Sequence, residues 1–194
     1  MEGIYLAMVE KEQEQQESKV SRRILQGLRM LLKTYWFILP CFIIPLLLAK
    51  FVFLIGSVAS PSMEPTVPVG AIVLSNRMSV YDGEVERGAI VSFNHPETSI
   101  YGVTVKRVIG LPGETVTFYD GGVYINGERL DESAYLPEGV MTVAPKSSYE
   151  VPEGRYFVMG DNRNNSTDSR YWADAYISGE DLVAEYLFSV KFPF

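Results

Sequence analysis

The sequence predicts a mostly β protein, built on an antiparallel sheet, with one N-terminal transmembrane helix and a small β-hairpin insertion. Three observations predict it: an apolar run near the N-terminus, short β-rich runs after residue 59, and turn dipeptides between those runs. The 194 residues allow one compact domain and a short accessory segment. We expect a tail over 1–34, the membrane helix over 35–55, the β domain over 56–194 and the insertion over 115–150.

The tail is predicted to lie in the cytoplasm. Residues 1–18 are rich in Glu and Gln, which indicates a mobile segment. Five basic residues then follow, with no acidic residue before the apolar run: Lys19, Arg22, Arg23, Arg29 and Lys33. Such a cluster is typical of the inner side of a membrane helix. The N-terminus should therefore stay inside the cell, and residues 56–194 should face the exterior.

The apolar run extends from Tyr35 to Ile55 and contains one charged residue, Lys50. Its length is close to the ~20 residues that span a bilayer as a helix. Pro40 and Pro45 are expected to kink this helix. A cleavable leader is the rival interpretation, but the 34 preceding residues and the length of the run favour a retained anchor.

Beyond the apolar run, the chain is predicted to form short strands. Val, Ile and aromatic residues are concentrated in short segments bounded by Gly, Pro, Asn and Asp; these are residues 71–75, 89–93, 103–109 and 156–159. Thr115 to Leu130 predicts a hairpin, because Asp120-Gly121-Gly122 and Asn126-Gly127 are typical turn sequences.

Composition excludes several classes of function. Residues 56–194 carry ten basic and nineteen acidic groups, which argues against a nucleic-acid groove. Cys41 is the only cysteine, so no intramolecular disulfide can form. His95 is the only histidine, which removes two-histidine zinc motifs and makes a Ser-His-Asp triad depend on one side chain. No metal or organic cofactor is called for.

The first candidate segment, residues 60–66, follows the apolar run closely and reads Ser-Pro-Ser-Met-Glu-Pro-Thr. Taken alone, it is typical of a Ser/Pro-rich linker. If it is part of a site, Ser62 should lie close to the membrane surface.

The second candidate segment contains Lys106 within an apolar strand. Strand alternation puts Thr104, Lys106 and Val108 on one face and Arg107 on the other. A strand lysine is usually an edge charge that faces solvent. Burial would instead lower its pKa from ~10.4 and allow it to act as a base for a serine hydroxyl.

The third candidate segment, residues 158–172, is dense in polar residues after a strand. Its composition fits a solvated loop. The spacing of Ser166, Asp168 and Arg170 also allows one local network, in which an Arg-carboxylate pair fixes the loop against a catalytic centre.

In this order, the three segments resemble the motifs of the type I signal peptidase family, Ser-Lys serine proteases. The motifs are Ser-Met-x-Pro, Lys-Arg-x-x-Gly-x-Pro-Gly and Gly-Asp-Asn-x-x-x-Ser-x-Asp-Ser-Arg. The resemblance covers roughly residues 59–187. It implies a protease domain of signal-peptidase type behind a single anchor.

The resemblance also implies roles for individual residues. Ser62 matches the nucleophile, Lys106 the general base, and Ser60 the hydroxyl that joins the Ser62 amide in the oxyanion hole. The other matches are Ser166, which hydrogen-bonds the lysine, the ion pair Asp168 and Arg170, the turn Gly160, Asp161 and Asn162, and the residues flanking the nucleophile, Met63 and Pro65. Met63 would border the pocket for a small side chain, and Pro65 and Thr104 would also contact the substrate.

The sequence departs from the family pattern at several positions. Pro61 stands where many members have Gly, and Thr104 stands where an aromatic residue is frequent, which leaves the pocket size open. Glu114 replaces a common Asp, Ala173 a frequent Gly, and Ala184-Glu185 the usual Gly-Lys or Gly-Arg. These changes bear on packing and are not expected to abolish catalysis.

The resemblance implies cleavage of signal peptides from exported preproteins beside the secretion translocon, after small residues in an Ala-x-Ala pattern. Two alternatives stay open: a related Ser-Lys enzyme with one dedicated substrate or with self-cleavage, and an anchored β module that only binds exported chains. The absence of a DNA-binding half counts against self-cleavage. The oligomeric state is not set by the sequence.

Overall fold

The computed structural model of the protein describes residues 2–98 and 102–192. Within the first helix, the side chains of residues 2–15, 17, 18 and 20 are outside the description. The chain divides into two compact units, Met1–Ala49 and Lys50–Phe194.

The N-terminal part of the chain forms two helices, α1 (Glu2–Tyr35) and α2 (Ile38–Val52). This corrects the prediction of one helix over 35–55 after a mobile tail, because residues 2–18 are helical and the apolar run is interrupted at residues 36 and 37. Pro40 explains the interruption. It has no N–H to bond the carbonyl of Trp36, and its ring would clash with that carbonyl in a continuous helix.

No single helix among the described residues is long and apolar enough to cross a membrane. The pair Ser21–Tyr35 and Ile38–Val52, bent by 48°, meets the length and composition requirement together. The 15 residues of α2 extend about 22 Å, which is less than the ~30 Å of a bilayer core.

The second unit contains eleven strands and several short 3₁₀ turns among the described residues. The strands are β1 (Phe53–Ser57), β2 (Ile72–Asn76), β3 (Ile90–Phe93), β4 (Thr104–Gly110), β5 (Thr115–Tyr119), β6 (Gly122–Ile125), β7 (Glu128–Arg129), β8 (Ser148–Glu150), β9 (Arg155–Met159), β10 (Ile177–Ser178) and β11 (Leu182–Val190). The predicted mostly β domain is therefore confirmed.

All strand pairs are antiparallel, as predicted. The larger sheet has the order β1-β2-β11-β3-β4-β9-β10, which puts β4 between β3 and β9. Phe53, Leu54 and Ile55 belong to β1 and pair with β2, so the predicted membrane helix ends three residues too late. In a strand these residues alternate between the two faces of the sheet, whereas the apolar run by itself indicated a helix.

The predicted hairpin is present in a second sheet of order β7-β6-β5-β8. Asp120 and Gly121 join β5 to β6 with φ angles of 47° and 69°, and Asn126 and Gly127 join β6 to β7 with 50° and 88°. Two successive residues with positive φ are the signature of a type I′ turn, which matches the twist of the strands.

Consecutive residues of β4 contribute to cores on opposite faces of the larger sheet. Val108 packs with Val91, Phe93, Val158 and Trp172. Ile109 packs in the cluster that includes Val116, Tyr149 and Phe157, beneath the second sheet. Strand β4 is thus fixed from both sides, and this gives a rigid base to the side chains at its first residues.

Candidate active site

The first candidate segment forms a 3₁₀ turn, Pro61–Met63, whose residue Ser62 is buried. Ser60 precedes the turn in an extended conformation, and its Oγ lies 3.2 Å from Ser62 Oγ. Pro61 at the first helical position suits the turn because its φ is already fixed near the required value. The structure thus brings the two predicted serine hydroxyls together.

The turn is held by the third segment. The backbone N–H of Asn162 donates to the Ser62 carbonyl at 3.1 Å, and its side-chain amide donates to the Pro61 carbonyl at 3.1 Å. A methyl group at Gly160 would overlap the Ser62 carbonyl oxygen and the Ser166 side chain. Only glycine therefore permits this close approach of the two segments.

Lys106 lies on β4 opposite Val91 and is 3% exposed. Burial is the main cause that lowers the pKa of Lys106; Asp168 and Asp161 oppose this shift, the charge of Arg170 adds to it, and the resulting pKa is about 8. Strand β4 contacts the turn Pro61–Met63. The lysine therefore has the lowered pKa that a base requires.

The two carboxylates that influence Lys106 are both engaged by arginines. Arg170 binds Asp168 with Nε at 2.8 Å and Nη2 at 2.9 Å. Arg107 binds Asp161 with Nε at 2.8 Å and Nη2 at 2.6 Å. Within residues 2–98 and 102–192, Lys106 forms no ion pair of its own.

Ser166 donates its hydroxyl hydrogen to Asp168 Oδ2 at 2.7 Å. Asp168 also accepts from the Gly160 N–H at 2.9 Å. Burial alone would raise the pKa of Asp168, but the hydrogen bonds from Arg170, Gly160 and Ser166 outweigh it and hold the pKa below its usual value. A hydroxyl that donates to a carboxylate keeps its lone pairs free. The hydrogen bond from Lys106 to Ser166 that the resemblance implies stays a prediction.

The three residues predicted to contact substrate differ in their surroundings. Met63 is buried in a core cluster with Val67, Val73 and Ile90. Pro65 is exposed, and Thr104 is half-buried and donates to Thr98 Oγ1 at 2.6 Å. Contact of these residues with a substrate stays a prediction.

Sequence analysis missed Arg107 as part of the site. Its guanidinium also donates to the Gly88 carbonyl at 2.7 Å, and Thr66 donates to the same Asp161 at 2.5 Å. Asp161 is thereby tied to β4 and to the segment after Ser62. The position of Arg107 next to Lys106 in the second motif was the signal that could have identified it.

Sequence analysis also missed the segment between β7 and β8. Glu132 forms a two-bond ion pair with the buried Arg163, and Thr142 accepts from Arg163 at 2.6 Å. Arg163 in turn donates to the Gly160 carbonyl at 3.1 Å. The Tyr135 ring lies 4.0 Å from the Arg107 guanidinium. The insertion thus supports the turn at residues 160–163.

The surroundings of His95 differ from those of Ser62 and Lys106. Its ring is buried and stacks on Trp172 at 4.1 Å, and its Nδ1 accepts a long hydrogen bond, 3.4 Å, from the Glu97 N–H. In the described part of the chain, no group of three or more His, Cys, Asp or Glu side chains is placed to hold a metal ion.

Fold and site together define a class of protein: an antiparallel β scaffold that carries a candidate serine hydrolase centre. Comparison with known proteins narrows this class. Residues 31–191 match the family described as signal peptidase, peptidase S26.

Several similar proteins are signal peptidases by name. Signal peptidase I of Bacillus amyloliquefaciens is 38% identical over 164 residues, which cover 78% of this chain and 80% of that protein. Signal peptidase I T of Bacillus subtilis is 40% identical over 151 residues, covering 74% and 73%. A probable signal peptidase I-2 of Synechocystis sp. is 39% identical over 119 residues, and the match spans 53% of that protein's length and 59% of this chain.

A crystal structure of a signal peptidase I from Enterococcus faecalis is 34% identical and covers 52% of this chain and 95% of that chain, with a TM-score of 0.41. The family assignment rests on the sequence matches. The chain belongs to the signal peptidase family.

Proposed function

We propose that the chain is a membrane-bound serine endopeptidase that removes N-terminal signal peptides from exported preproteins. The observation that carries the proposal is Lys106, a buried lysine without an ion-pair partner in the described chain and with a pKa of about 8. It lies on the strand that contacts the turn of Ser62. Membership of the signal peptidase family supports the same reaction.

Ser62 is the nucleophile and Lys106 the general base of this reaction. The neutral Lys106 amine accepts the Ser62 hydroxyl proton while Ser62 Oγ attacks the peptide carbonyl. The Ser62 N–H and the Ser60 hydroxyl stabilise the oxyanion. Lys106 then protonates the leaving amine, and a water molecule that it activates hydrolyses the acyl-enzyme. The proximity of Ser60 Oγ to Ser62 Oγ, 3.2 Å, supports this assignment.

The supporting groups keep Lys106 available as a base. Asp168 and Asp161 already raise the pKa of Lys106, and direct pairing would raise it further; each carboxylate is instead bound by its own arginine. Ser166, oriented as a donor toward Asp168, accepts from Lys106 and orients it. No cofactor takes part in this scheme.

The substrate binds along the edge of β4 that β9 leaves unpaired. β9 pairs with β4 from Arg107 to Gly110, and in the described chain Thr104 to Lys106 have no strand partner on that side. An extended peptide can add there by backbone hydrogen bonds, which read few side chains. Specificity then depends on two shallow pockets that accept small residues such as alanine and are overpacked by larger ones.

The apolar α2 and the basic residues before it support membrane attachment with the N-terminus inside. Residues 56–194 then act on the outer face, beside the translocon from which preproteins emerge. The substrate's own apolar leader stays in the bilayer and presents the scissile bond near the membrane surface.

The test is cleavage of a preprotein with an Ala-x-Ala leader by the purified full chain in detergent. The wild type should cut after the second alanine, and Ser62→Ala should leave the substrate intact. The matched control is Ser79→Ala, a serine outside the site whose hydroxyl bonds the Asn76 carbonyl. Binding without cleavage by the wild type would contradict an enzymatic role.

A panel of leaders separates a general from a dedicated enzyme. A general signal peptidase should cut most leaders with small residues at the first and third positions before the bond. Cleavage of a single leader, or only of the enzyme's own chain, would instead indicate a dedicated or self-cleaving relative.

A further inference from the structure

The second half of α1 carries a separate amphipathic surface. Six apolar or aromatic residues recur at three- and four-residue spacing: Ile24, Leu25, Leu28, Leu31, Leu32 and Tyr35. At 100° per residue they occupy an arc of roughly 120° on the helix. All six side chains are exposed, with Ile24 at 62% and Leu32 at 63%. We call this set the apolar face of α1.

The opposite face of the same helix is cationic. Arg22, Arg23, Arg29 and Lys33 all project outside the apolar arc, together with the polar Gln26 and Thr34 and one exposed apolar residue, Met30. No acidic residue occurs between Glu17 and Glu64. The surface beside the apolar face is thus uniformly positive.

These residues do not suit the bilayer core. As part of a bent span, the last turns of Ser21–Tyr35 would bring Lys33 into hydrocarbon and Arg29 toward it, with no acidic partner near them in sequence. The 48° bend turns this part of α1 part of the way from the axis of α2 toward the membrane plane. A helix with one apolar face and one basic face fits the interface between hydrocarbon and headgroups.

We propose that Ser21–Tyr35 lies in the plane of the membrane and binds an anionic lipid surface, with the apolar face of α1 toward the acyl chains. Anionic headgroups provide the complementary charge for the four basic side chains. For its location next to a span, the proposal rests on the membrane attachment through α2 proposed above. Because α2 alone is shorter than a bilayer core, this arrangement also requires local thinning of the bilayer around it.

The test uses the full chain in the background Cys41→Ser, with single cysteines on the two faces. Leu28→Cys and Leu31→Cys probe the apolar face. Gln26→Cys and Thr34→Cys probe the polar face without removing charge. Each variant is reconstituted into vesicles of phosphatidylglycerol and phosphatidylcholine, or of phosphatidylcholine alone. The vesicles are opened by freezing and thawing and treated with a hydrophilic maleimide.

In anionic vesicles, positions 28 and 31 should react at least about tenfold more slowly than positions 26 and 34. The contrast should shrink severalfold in neutral vesicles and after Arg22→Gln, Arg29→Gln and Lys33→Gln together. Slow reaction at all four positions would show a span, and fast reaction at all four would show a solvated helix. Protection that is independent of lipid charge would show a protein contact. Each of these three results overturns the proposal.

Flotation of the chain with vesicles distinguishes membrane attachment through α2 from surface binding by Ser21–Tyr35. Binding that survives high salt together with the expected labelling pattern supports both. Binding to anionic vesicles alone, reversed by high salt, would contradict the α2 anchor and still support the surface helix. Absence of flotation with anionic vesicles would overturn both.

Discussion

The neutral fraction of Lys106 near pH 7 is larger than that of an ordinary lysine, because Lys106 is buried on β4 without a carboxylate of its own. With a pKa of about 8, about one molecule in ten carries the neutral amine at pH 7, against about one in a few thousand at the usual value. The sequence alone could not establish this difference. A lysine on a short strand faces solvent or core depending on its neighbours, and two of those neighbours, Asp161 and Asp168, lie 55 and 62 residues further along the chain.

This pKa predicts the pH dependence of cleavage. Since the base must be neutral, kcat/KM should rise about tenfold per pH unit below pH 8 and level off above it. The measurement is a pH series of preprotein cleavage. Lys106→Arg should be inactive throughout, because a guanidinium keeps its proton at any workable pH. Activity of the arginine variant, or an acid limb near pH 10, would show that Lys106 is not the base.

The same burial should cost stability. Lys106 binds its proton less tightly in the folded state than in the unfolded state. Between pH 8 and 10.5 the unfolded state therefore holds more protons than the folded state. The free energy of unfolding therefore rises with pH across this window, and the penalty is fully present below pH 8. Lys106→Met should raise the free energy of unfolding at pH 7 by up to about 3 kcal/mol.

Denaturant unfolding at pH 7 and pH 10 measures this effect. The difference between Lys106→Met and wild type should shrink at the higher pH, where the lysine is already neutral. Lys191→Met, at an exposed lysine in the same unit, should change stability little at either pH. A less stable Lys106→Met at pH 7 would indicate that the ammonium is favourably paired.

At the scale of elements, local sequence was most informative at turns that only a few residue pairs can form. The pairs Asp120-Gly121 and Asn126-Gly127 predicted both hairpin turns because few residue pairs adopt two positive φ angles. A kink was expected at Pro40, and the chain bends there by 48°, but the prediction kept one continuous helix through this point. Apolar composition indicates how long the apolar segment is, but it does not show where a helix begins. The start of α2 depends on Pro40, which has no N–H to continue α1.

The segment between β7 and β8 was the largest omission in the predicted site. Its residues contact the turn at residues 160–163 over separations of 21 to 31 residues, and no local pattern encodes such contacts. The Arg163 side chain is fully buried, and Glu132 is its only charged partner in the described chain. The insertion therefore supports the site, because its Glu132 neutralises Arg163, which donates to the Gly160 carbonyl.

Glu132→Gln should destabilise the domain by about 3 to 5 kcal/mol, because it leaves a buried guanidinium without its counter-charge. The measurement is the midpoint of denaturant unfolding. Glu132→Gln combined with Arg163→Met should recover part of the loss, since both charges are then absent. Glu128→Gln, at an exposed position of β7, is the matched control. Equal stability of Glu132→Gln and wild type would contradict this role of the ion pair.

At the scale of the whole molecule, charge is divided along the chain. Residues 18–63 carry only basic charges, and residues 56–194 carry an excess of nine acidic groups. Burying Arg22, Arg29 or Lys33 at the bilayer centre would cost roughly 2.5 to 3.5 kcal/mol each. Together with the apolar α2, this asymmetry favours one orientation, in which the basic segment stays inside and the β domain faces the exterior.

The orientation is tested by single cysteines in the Cys41→Ser background, in bacterial spheroplasts that produce the full chain. Tyr81→Cys lies at a side chain that is 85% exposed in the β domain. Gln16→Cys lies at an exposed position of α1. A membrane-impermeant maleimide added to intact spheroplasts should label position 81 and leave position 16 unlabelled, because only the β domain is outside. Labelling is independent of protease resistance, so a tightly folded domain gives the same result.

Two controls make this outcome decisive. After detergent permeabilisation both positions should react, which shows that each cysteine is accessible in the folded chain. Replacing Lys19, Arg22, Arg23, Arg29 and Lys33 by Gln should reduce the fraction of chains with position 81 outside, because the basic residues no longer hold the N-terminus in the cytoplasm. Labelling of position 16 alone in intact spheroplasts would show the opposite orientation, with the β domain inside the cell. A signal peptidase with its serine site inside the cell could not meet exported chains on the outer face.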